Sequence, residues 1–560
     1  MEPLTRVTWR IGAALTLALC MAGCATLPDA GLASDTPLVA GQGMVALQVV
    51  SNTERIGEKI PTWSEAIVED LDRRDDRGKP ILHSIPGLYD GLTSTRVFVG
   101  ALPPGRYAFR GLFASLQYAG GPTYYASAPA PSEAGRFLVE DGRLTELGTI
   151  LFQPLHPDAL ATKMLDAPTT LDYVLTRISD SDALAEFVAL KYPMASKSLG
   201  QREPLRWEPD ALDESREALA SAMRAYAIPV RAHPSSGGAV VFTGRLGSLQ
   251  RRDAGGRWTS LNVSGYRELL AYREVGAEHF VGGERGAVCR ATDFVGPYQC
   301  ASLPNRNQNV VRIDADTSGR VHVLAEERGR YRLYRLDTWP DAFAEVTSFG
   351  ASAEVWAPQS VLVGARLPAA YRDGDILVVS SVEATHSIDL RNGRRTTSEV
   401  PALWEAVEQS NGWIVASPSS TWSGTKPPIV SRDRGRTWKE ISRLGVHGVL
   451  PYVDDTGDAI GLDNDATYVF VGWRKREKVA VLRAAGGAKE NRQIGQLPFG
   501  CGELVTEASS DALLLARCHD GAMLRSTDGG ASWTVDLARA VRADAVPAEF
   551  RSAQGMRAGS

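Results

Sequence analysis

The chain has 560 residues, 44% of them hydrophobic and 23% charged, with a formal net charge of −5. That length is too great for a single hydrophobic core and implies two to four domains. The near-balanced charge, with no basic run and no histidine-cysteine finger, argues against nucleic acid as a partner.

At the N-terminus, Arg6 and Arg10 precede an apolar run from Ile11 to Ala22. A run of about 12 residues is short of the roughly 20 that span a bilayer, and it fits the apolar region of a signal peptide. Met21-Ala22-Gly23-Cys24 follows. This tetrapeptide resembles the lipobox of bacterial lipoproteins, with Met21 where that family prefers leucine. The resemblance implies a signal peptide over residues 1–23 and palmitate-type acylation of Cys24. Two or three acyl chains hold a protein on a membrane where one is marginal. Ala25, where inner-membrane lipoproteins often carry aspartate, points to the outer membrane, on its periplasmic or surface side. Of the other cysteines beyond the leader, Cys289 lies near Cys300 and Cys501 near Cys518. Close pairs in an exported chain are expected to form disulfides, and no Cys-x-x-Cys or histidine cluster suggests zinc.

Residues 24–42 are small and polar, with Pro28 and Pro37, and are expected to form a flexible tether. Residues 43–155 read as a β-sandwich. Val45–Val50 opens it, Thr95–Val99 alternates, Leu102–Tyr107 holds a Pro-Pro-Gly turn, and Asp141-Gly142 is a hairpin signal before Leu147–Phe152. The Pro-Gly-Arg-Tyr turn and the closing strand resemble small transthyretin-like sandwiches, which implies a spacer or protein-contact module. The charged stretch 69–79 reads as a solvated loop. Residues 156–228 are expected to form a helical connector. Leu212, Leu219, Met223 and Tyr226 fall on one helix face, and residues 182–192 read as a shorter helix stopped before Pro193. These stripes are expected to pack on a neighbouring domain.

Beyond residue 229 one pattern repeats. Ser431, Asp433, Gly435, Thr437 and Trp438 match Ser526, Asp528, Gly530, Ser532 and Trp533 as Ser-x-Asp-x-Gly-x-Thr/Ser-Trp. Asp253, Gly255 and Trp258 form a partial copy, and Asp293 with Tyr298 a fainter one. The pattern resembles the Asp-box of sialidase-like BNR propellers, and it implies folding residues rather than catalytic ones. An aspartate can cap the turn's backbone N–H groups, a glycine supplies positive φ, and the tryptophan packs between sheets. Asp253 and Asp433 are 180 residues apart, four steps of about 45; Asp433 and Asp528 are 95 apart, two steps of about 47. This spacing predicts a β-propeller of about seven blades over 229–545, with six and eight left open, and a tail over 546–560.

Sialidases carry an arginine in a Phe/Tyr-Arg-Ile-Pro motif ahead of the first Asp-box. Here Tyr226-Ala227-Ile228-Pro229 has Ala227 at that place, and Arg231 follows the proline. No His-Glu-x-x-His, Gly-x-Ser-x-Gly or phosphate-binding glycine loop is present. No catalytic residue, metal ligand or cofactor is assigned, and the acidic residues at 454–458 and 463–465 read as an exposed hairpin rather than a Ca²⁺ site. The fold class expected is mainly β, with sandwich, connector and propeller in that order. The expected function is a non-catalytic envelope lipoprotein that binds a partner protein. The alternative is a glycan binder or glycoside hydrolase using Trp404, Trp413, Trp422 or Trp473 at the channel.

Overall fold

The computed structural model describes residues 28–559 apart from 53–62, 89–92, 94, 118–122, 132–133, 156–169, 179–183, 201, 264, 328, 351–368, 381–383, 399–402, 410, 419–428, 441–455, 462–466, 475–477, 486–491, 499–500, 502, 511, 519–520, 539–540, 542–544 and 553–555. Residues 1–23, expected to be a signal peptide, and Cys24 therefore lie outside the described residues.

The N-terminal module begins with β1 (Gly43–Ser51), β2 (Glu65–Arg74), β3 (Pro80–Leu88) and β4 (Arg96–Leu102). It continues with β5 (Gly105–Gln117), β6 (Thr123–Pro129), β7 (Arg136–Val139) and β8 (Leu144–Pro154). β9 (Thr170–Leu171) and β10 (Tyr173–Ile178) follow. Hydrogen bonding runs in the order β10-β8-β1-β4-β3-β2-β5-β6, and β7 pairs with β5. β1 is buried along its whole length because both of its faces are covered. Val45, Leu47 and Val49 point into the main core with Phe98, Phe109, Phe152 and Trp63. Met44 and Ala46 face the other way, beneath the helix Leu184–Lys191.

Several expectations for this half are corrected. The sheet does not end at residue 155: β10 pairs with β8, and the C-terminal strand Met556–Gly559 inserts between β6 and β9. The presumed tail is thus a structural strand, preceded by the buried Phe550. The presumed tether is fastened from Pro28 onward, since Ser84 N donates to the Pro28 carbonyl at 3.1 Å and Ala30 N to the Ser84 carbonyl at 2.9 Å. Residues 69–79 are not simply a solvated loop. Glu69 and Asp70 are buried in β2, where Arg74 and Arg110 hold Glu69 at 2.8 and 2.6 Å and Arg73 holds Asp70 at 2.6 Å. Buried carboxylates require such partners. The connector is only partly helical, because β9 and β10 fall within it. Its helices are Leu184–Lys191, Pro193–Lys197 and Asp213–Arg224. Pro193 starts a helix rather than merely ending one, as its fixed φ suits a first turn. Leu219 and Met223 pack with Val50, Leu151 and Val174 of the module and Leu246 and Tyr266 of the second half, so this helix is mortar between the two.

From Pro229 to Leu537 the strands form a β-propeller. They fall into seven four-stranded antiparallel sheets, each built from four consecutive strands. The sheets run from Pro229 to Asn262, Leu269 to Ser302, Asn309 to Gly350, Ala369 to Ser398, Leu403 to Glu440, Thr456 to Leu497 and Glu503 to Leu537. In the sixth, most side chains lie outside the described residues. Among the described residues no strand is shared between the first and last sheets, and side chains join the two. Arg252 of the first sheet pairs with Asp536 of the last at 2.7 Å, and Trp258 Nε1 donates to the same carboxylate at 2.9 Å. Arg517 of the last sheet donates to the carbonyls of Pro229 and Val230.

Both cysteine pairs are disulfides. Cys289 and Cys300 face each other in register across adjacent strands of the second sheet. Cys501 and Cys518 close a loop with a sequence separation of 17 in the last sheet. Replacing both Cys501 and Cys518 by serine is expected to cost about 3 kcal/mol through the freed loop. A urea melt of the double variant against the parent checks this, and an unchanged midpoint would count against it.

Candidate functional site

The repeated Ser-x-Asp-x-Gly motifs occupy turns between the third and fourth strands of their sheets. In the last sheet, Asp528 Oδ1 accepts Ser532 N at 2.9 Å and Oδ2 accepts Ser532 Oγ at 2.6 Å. Ser526 Oγ accepts Gly530 N at 2.8 Å and donates to Asp528. The fifth sheet repeats this with Asp433, Thr437, Ser431 and Gly435. These hydrogen bonds hold the Asp433 carboxyl down at about 2 and depress Asp528 as well. Gly435 and Gly530 have φ of +85° and +100°. The degenerate copy differs: Asp253 still accepts Arg257 N at 2.8 Å, but the positive φ falls on Gly256, not Gly255. Without a serine at Arg251 the turn uses one left-handed residue where the full motifs use two. Trp258 packs on Phe242 at 5.2 Å beside Leu515 and Met523, Trp438 meets Tyr371 of the preceding sheet at 6.1 Å, and Trp533 joins Val469 and Val481 of the sixth sheet. All of this is folding chemistry. Ser526→Ala is expected to remove about 1 kcal/mol by leaving Gly530 N unpaired, measured by chemical denaturation; Thr527→Ala, on an exposed neighbour, serves as the near-neutral control.

The chemistry of the propeller lies elsewhere, in a funnel of about 510 Å³ at the mouth of its channel. The innermost strands of the first four sheets each contribute an arginine: Arg231, Arg273, Arg312 and Arg372. In the first three, a β-bulge falls next to or just before the arginine, an irregularity that re-aims side chains. Arg434, from the turn motif of the fifth sheet, joins them at the rim. Three carboxylates, Asp314, Glu408 and Glu507, share the lining.

Two of these carboxylates are already tied. Arg312 reaches Asp314 at 2.5 Å and Glu408 at 2.9 Å, and it donates to the Ala370 carbonyl at 2.6 Å. Burial alone would lower the Arg312 pKa, but the two carboxylates outweigh burial and raise it, so the cation is permanent. Glu408 also accepts Arg372 N at 2.6 Å. Glu507 sits on a short 3-10 turn, Thr506–Ala508, which Gln409 braces by donating to the Thr506 carbonyl at 3.3 Å. Burial pushes the Glu507 carboxyl up, against the pull of Arg231 and Arg517. Burial, with Arg231, Arg312 and Arg273 nearby, holds the His233 imidazole well below its usual value, so it is neutral at physiological pH. Arg273 and Arg434 differ from Arg312: no hydrogen bond or ion pair engages either among the described residues, and Arg273 Nε is buried without a partner.

The funnel opens on the face that carries the turn motifs and the hairpins between first and second strands. The N-terminal module covers the other face. It grips the hairpins between second and third strands, with Arg245 donating to the Ser51 carbonyl at 3.1 Å and Thr95 Oγ1 to Glu284 at 2.9 Å. Lys191 meets Glu327 there at 3.0 Å. Asn52 holds Tyr226 O and Ile228 N at 3.1 and 3.0 Å, so Ala227, the position compared with a sialidase arginine, is buried at this junction and away from the funnel.

Of the tryptophans expected at the channel, Trp413 lies under the Arg432 guanidinium at 4.2 Å, in the hairpin between the first two strands of the fifth sheet. Trp422 and the side chains of Trp404 and Trp473 lie outside the described residues, as do Asp454, Asp455 and residues 463–465. Among the described residues, no cluster of three or more histidine, cysteine, aspartate or glutamate side chains could hold a metal ion.

No family model matches the chain, and no curated protein matches it. Solved structures similar to it are propellers. A catalytically inactive variant of virginiamycin B lyase from Staphylococcus aureus, with quinupristin, is 11% identical, with 53% of this chain and 94% of that one covered and a TM-score of 0.36. YCF48 bound to a D1 peptide is 12% identical, covering 54% and 92%, with a TM-score of 0.38. YCF48 from Cyanidioschyzon merolae is 11% identical, covering 48% and 85%, with a TM-score of 0.34. Likeness at this level carries no functional argument.

Proposed function

We propose that this chain is a non-catalytic, lipid-anchored envelope protein whose propeller holds an acidic segment of a partner protein in the basic funnel. The N-terminal module, read as a transthyretin-like spacer, and the repeats, read as Asp-boxes, are scaffold in this account. One observation carries it: the funnel has five arginines against three carboxylates, and Arg273 and Arg434 are not engaged by the described residues. Arginine forks recognise carboxylates in bidentate fashion, and a guanidinium such as that of Arg273, whose buried Nε has no partner, favours an incoming anion.

The alternative, a glycan-active enzyme or glycan binder, has one observation in its favour. Burial raises the Glu507 carboxyl above its usual value, the direction a general acid needs. Glycoside hydrolysis also needs a second free carboxylate about 5–9.5 Å away, whereas Asp314 and Glu408 are both bound to Arg312.

The test is recovery of a defined protein after mild crosslinking in intact cells, using tagged parent and the double variant Arg273→Glu/Arg434→Glu. The parent is expected to recover one partner that the variant loses while keeping its thermal stability. Equal recovery by both would remove the funnel from the account, and hydrolysis of any member of a polysaccharide panel would favour the alternative.

A further inference from the structure

We infer that the N-terminal module lies directly on the bilayer and sets a small apolar foot, Ala189, Leu190, Pro193 and Met194, into the membrane surface. The inference rests on the proposed acylation of Cys24. From Cys24 to Pro28 there are only four peptide steps, which reach at most about 14 Å. Pro28 is pinned to β3 through Ser84, and Ala30 is pinned between β3 and β4, because Ala101 N donates to the Ala30 carbonyl at 2.8 Å. Acyl chains on Cys24 therefore leave the module no freedom to stand off from the membrane.

The fastened segment also leads to the foot. Leu32 and Leu38 pack with Leu184, Val188, Tyr192 and Ala195, on the inward side of the helices Leu184–Lys191 and Pro193–Lys197. The outward side of that pair is apolar as well. Leu190 is 50% exposed and Met194 42%, with Ala189 and Pro193 exposed between them. Large exposed apolar side chains are few among the described residues: Val39, Leu190, Met194, Val295 and Val535. Three of the five border this one cluster, since Val39 follows Leu38. Contiguous exposed apolar surface marks an interaction site, and a bilayer held within a few residues' reach is the surface available to it. Lys197 is exposed beside the patch and suits anionic headgroups. The module covers the propeller face opposite the one on which the funnel opens.

The experiment uses full-length acylated protein in vesicles of phosphatidylethanolamine and phosphatidylglycerol, spin-labelled at Met194→Cys or at Val295→Cys. Val295 is 66% exposed in the turn after the third strand of the second sheet, on the funnel face. The label at 194 is expected to lose most of its accessibility to a water-soluble nickel complex while remaining open to oxygen; the label at 295 stays open to nickel. Equal nickel accessibility at both sites, in protein that Cys24 retains on the vesicles, overturns the foot alone. Protein that fractionates as soluble with Cys24 intact, just as it does with Cys24→Ala, overturns the anchor, and the foot with it.

Discussion

Asp536→Ala is expected to destabilise the protein by about 3–5 kcal/mol. Asp536 is 2% exposed and faces Arg252, which is 6% exposed, with Nε–Oδ2 at 2.7 Å. It also accepts Trp258 Nε1 at 2.9 Å and lies 3.5 Å from Arg525. The truncation leaves a buried guanidinium without its counter-charge and an indole N–H without an acceptor, and each loss adds desolvation that water cannot repay. The site matters beyond its own bonds because, among the described residues, no strand links the first sheet to the last. These side chains, with the packing of Phe242, Trp258, Leu515 and Met523, are the seam of the ring. The double variant Arg252→Met/Asp536→Leu, which removes both charges, is expected to recover most of the loss. Urea melts of the two variants decide the matter. A single variant within 1 kcal/mol of the parent, by the scale of surface pairs, would falsify the seam.

Arg312→Met should have a similar effect, at the lower end near 3 kcal/mol, because Glu408 is a quarter exposed and can regain water. Asp314 cannot, being 3% exposed. The consequence for the funnel is larger than for stability. Glu408 anchors Arg372 N, and Arg312 anchors the Ala370 carbonyl, so one residue ties the third, fourth and fifth sheets across the channel. Loss of Arg312 should loosen the wall that presents Arg372, and partner recovery should fall with it. Adding Asp314→Asn and Glu408→Gln leaves four arginines against one carboxylate, with Arg273 and Arg434 untouched, and should restore stability and recovery together. If stability returns and recovery does not, the funnel's charge is not what the partner reads.

The turn motifs and the disulfides were legible in the sequence because each is local. Ser431 to Trp438 and Ser526 to Trp533 contain the groups that satisfy them, and Cys289 and Cys300 sit on adjacent strands. What escaped was non-local. Glu69 looks solvated until Arg110, 41 residues away, is seen beside it. Met556–Gly559 has no apolar alternation, and its pairing with β6 and β9 spans most of the chain. The funnel arginines had one faint signal. Val230-Arg231, Tyr272-Arg273, Val311-Arg312 and Tyr371-Arg372 repeat an apolar-arginine pair within the first strand of four successive sheets. Arg231 follows Pro229 instead of preceding it, so a comparison with the sialidase arginine motif does not single it out.

The most direct test of the central claim is a binding titration of the purified chain with a poly-glutamate peptide, followed by calorimetry at low and moderate salt. The account predicts saturable binding at one site that weakens with salt and is lost in Arg273→Glu/Arg434→Glu, with Arg436→Glu, outside the funnel lining, as an unaffected control. Binding that survives the funnel variant, or no binding to an acidic chain at all, would contradict it.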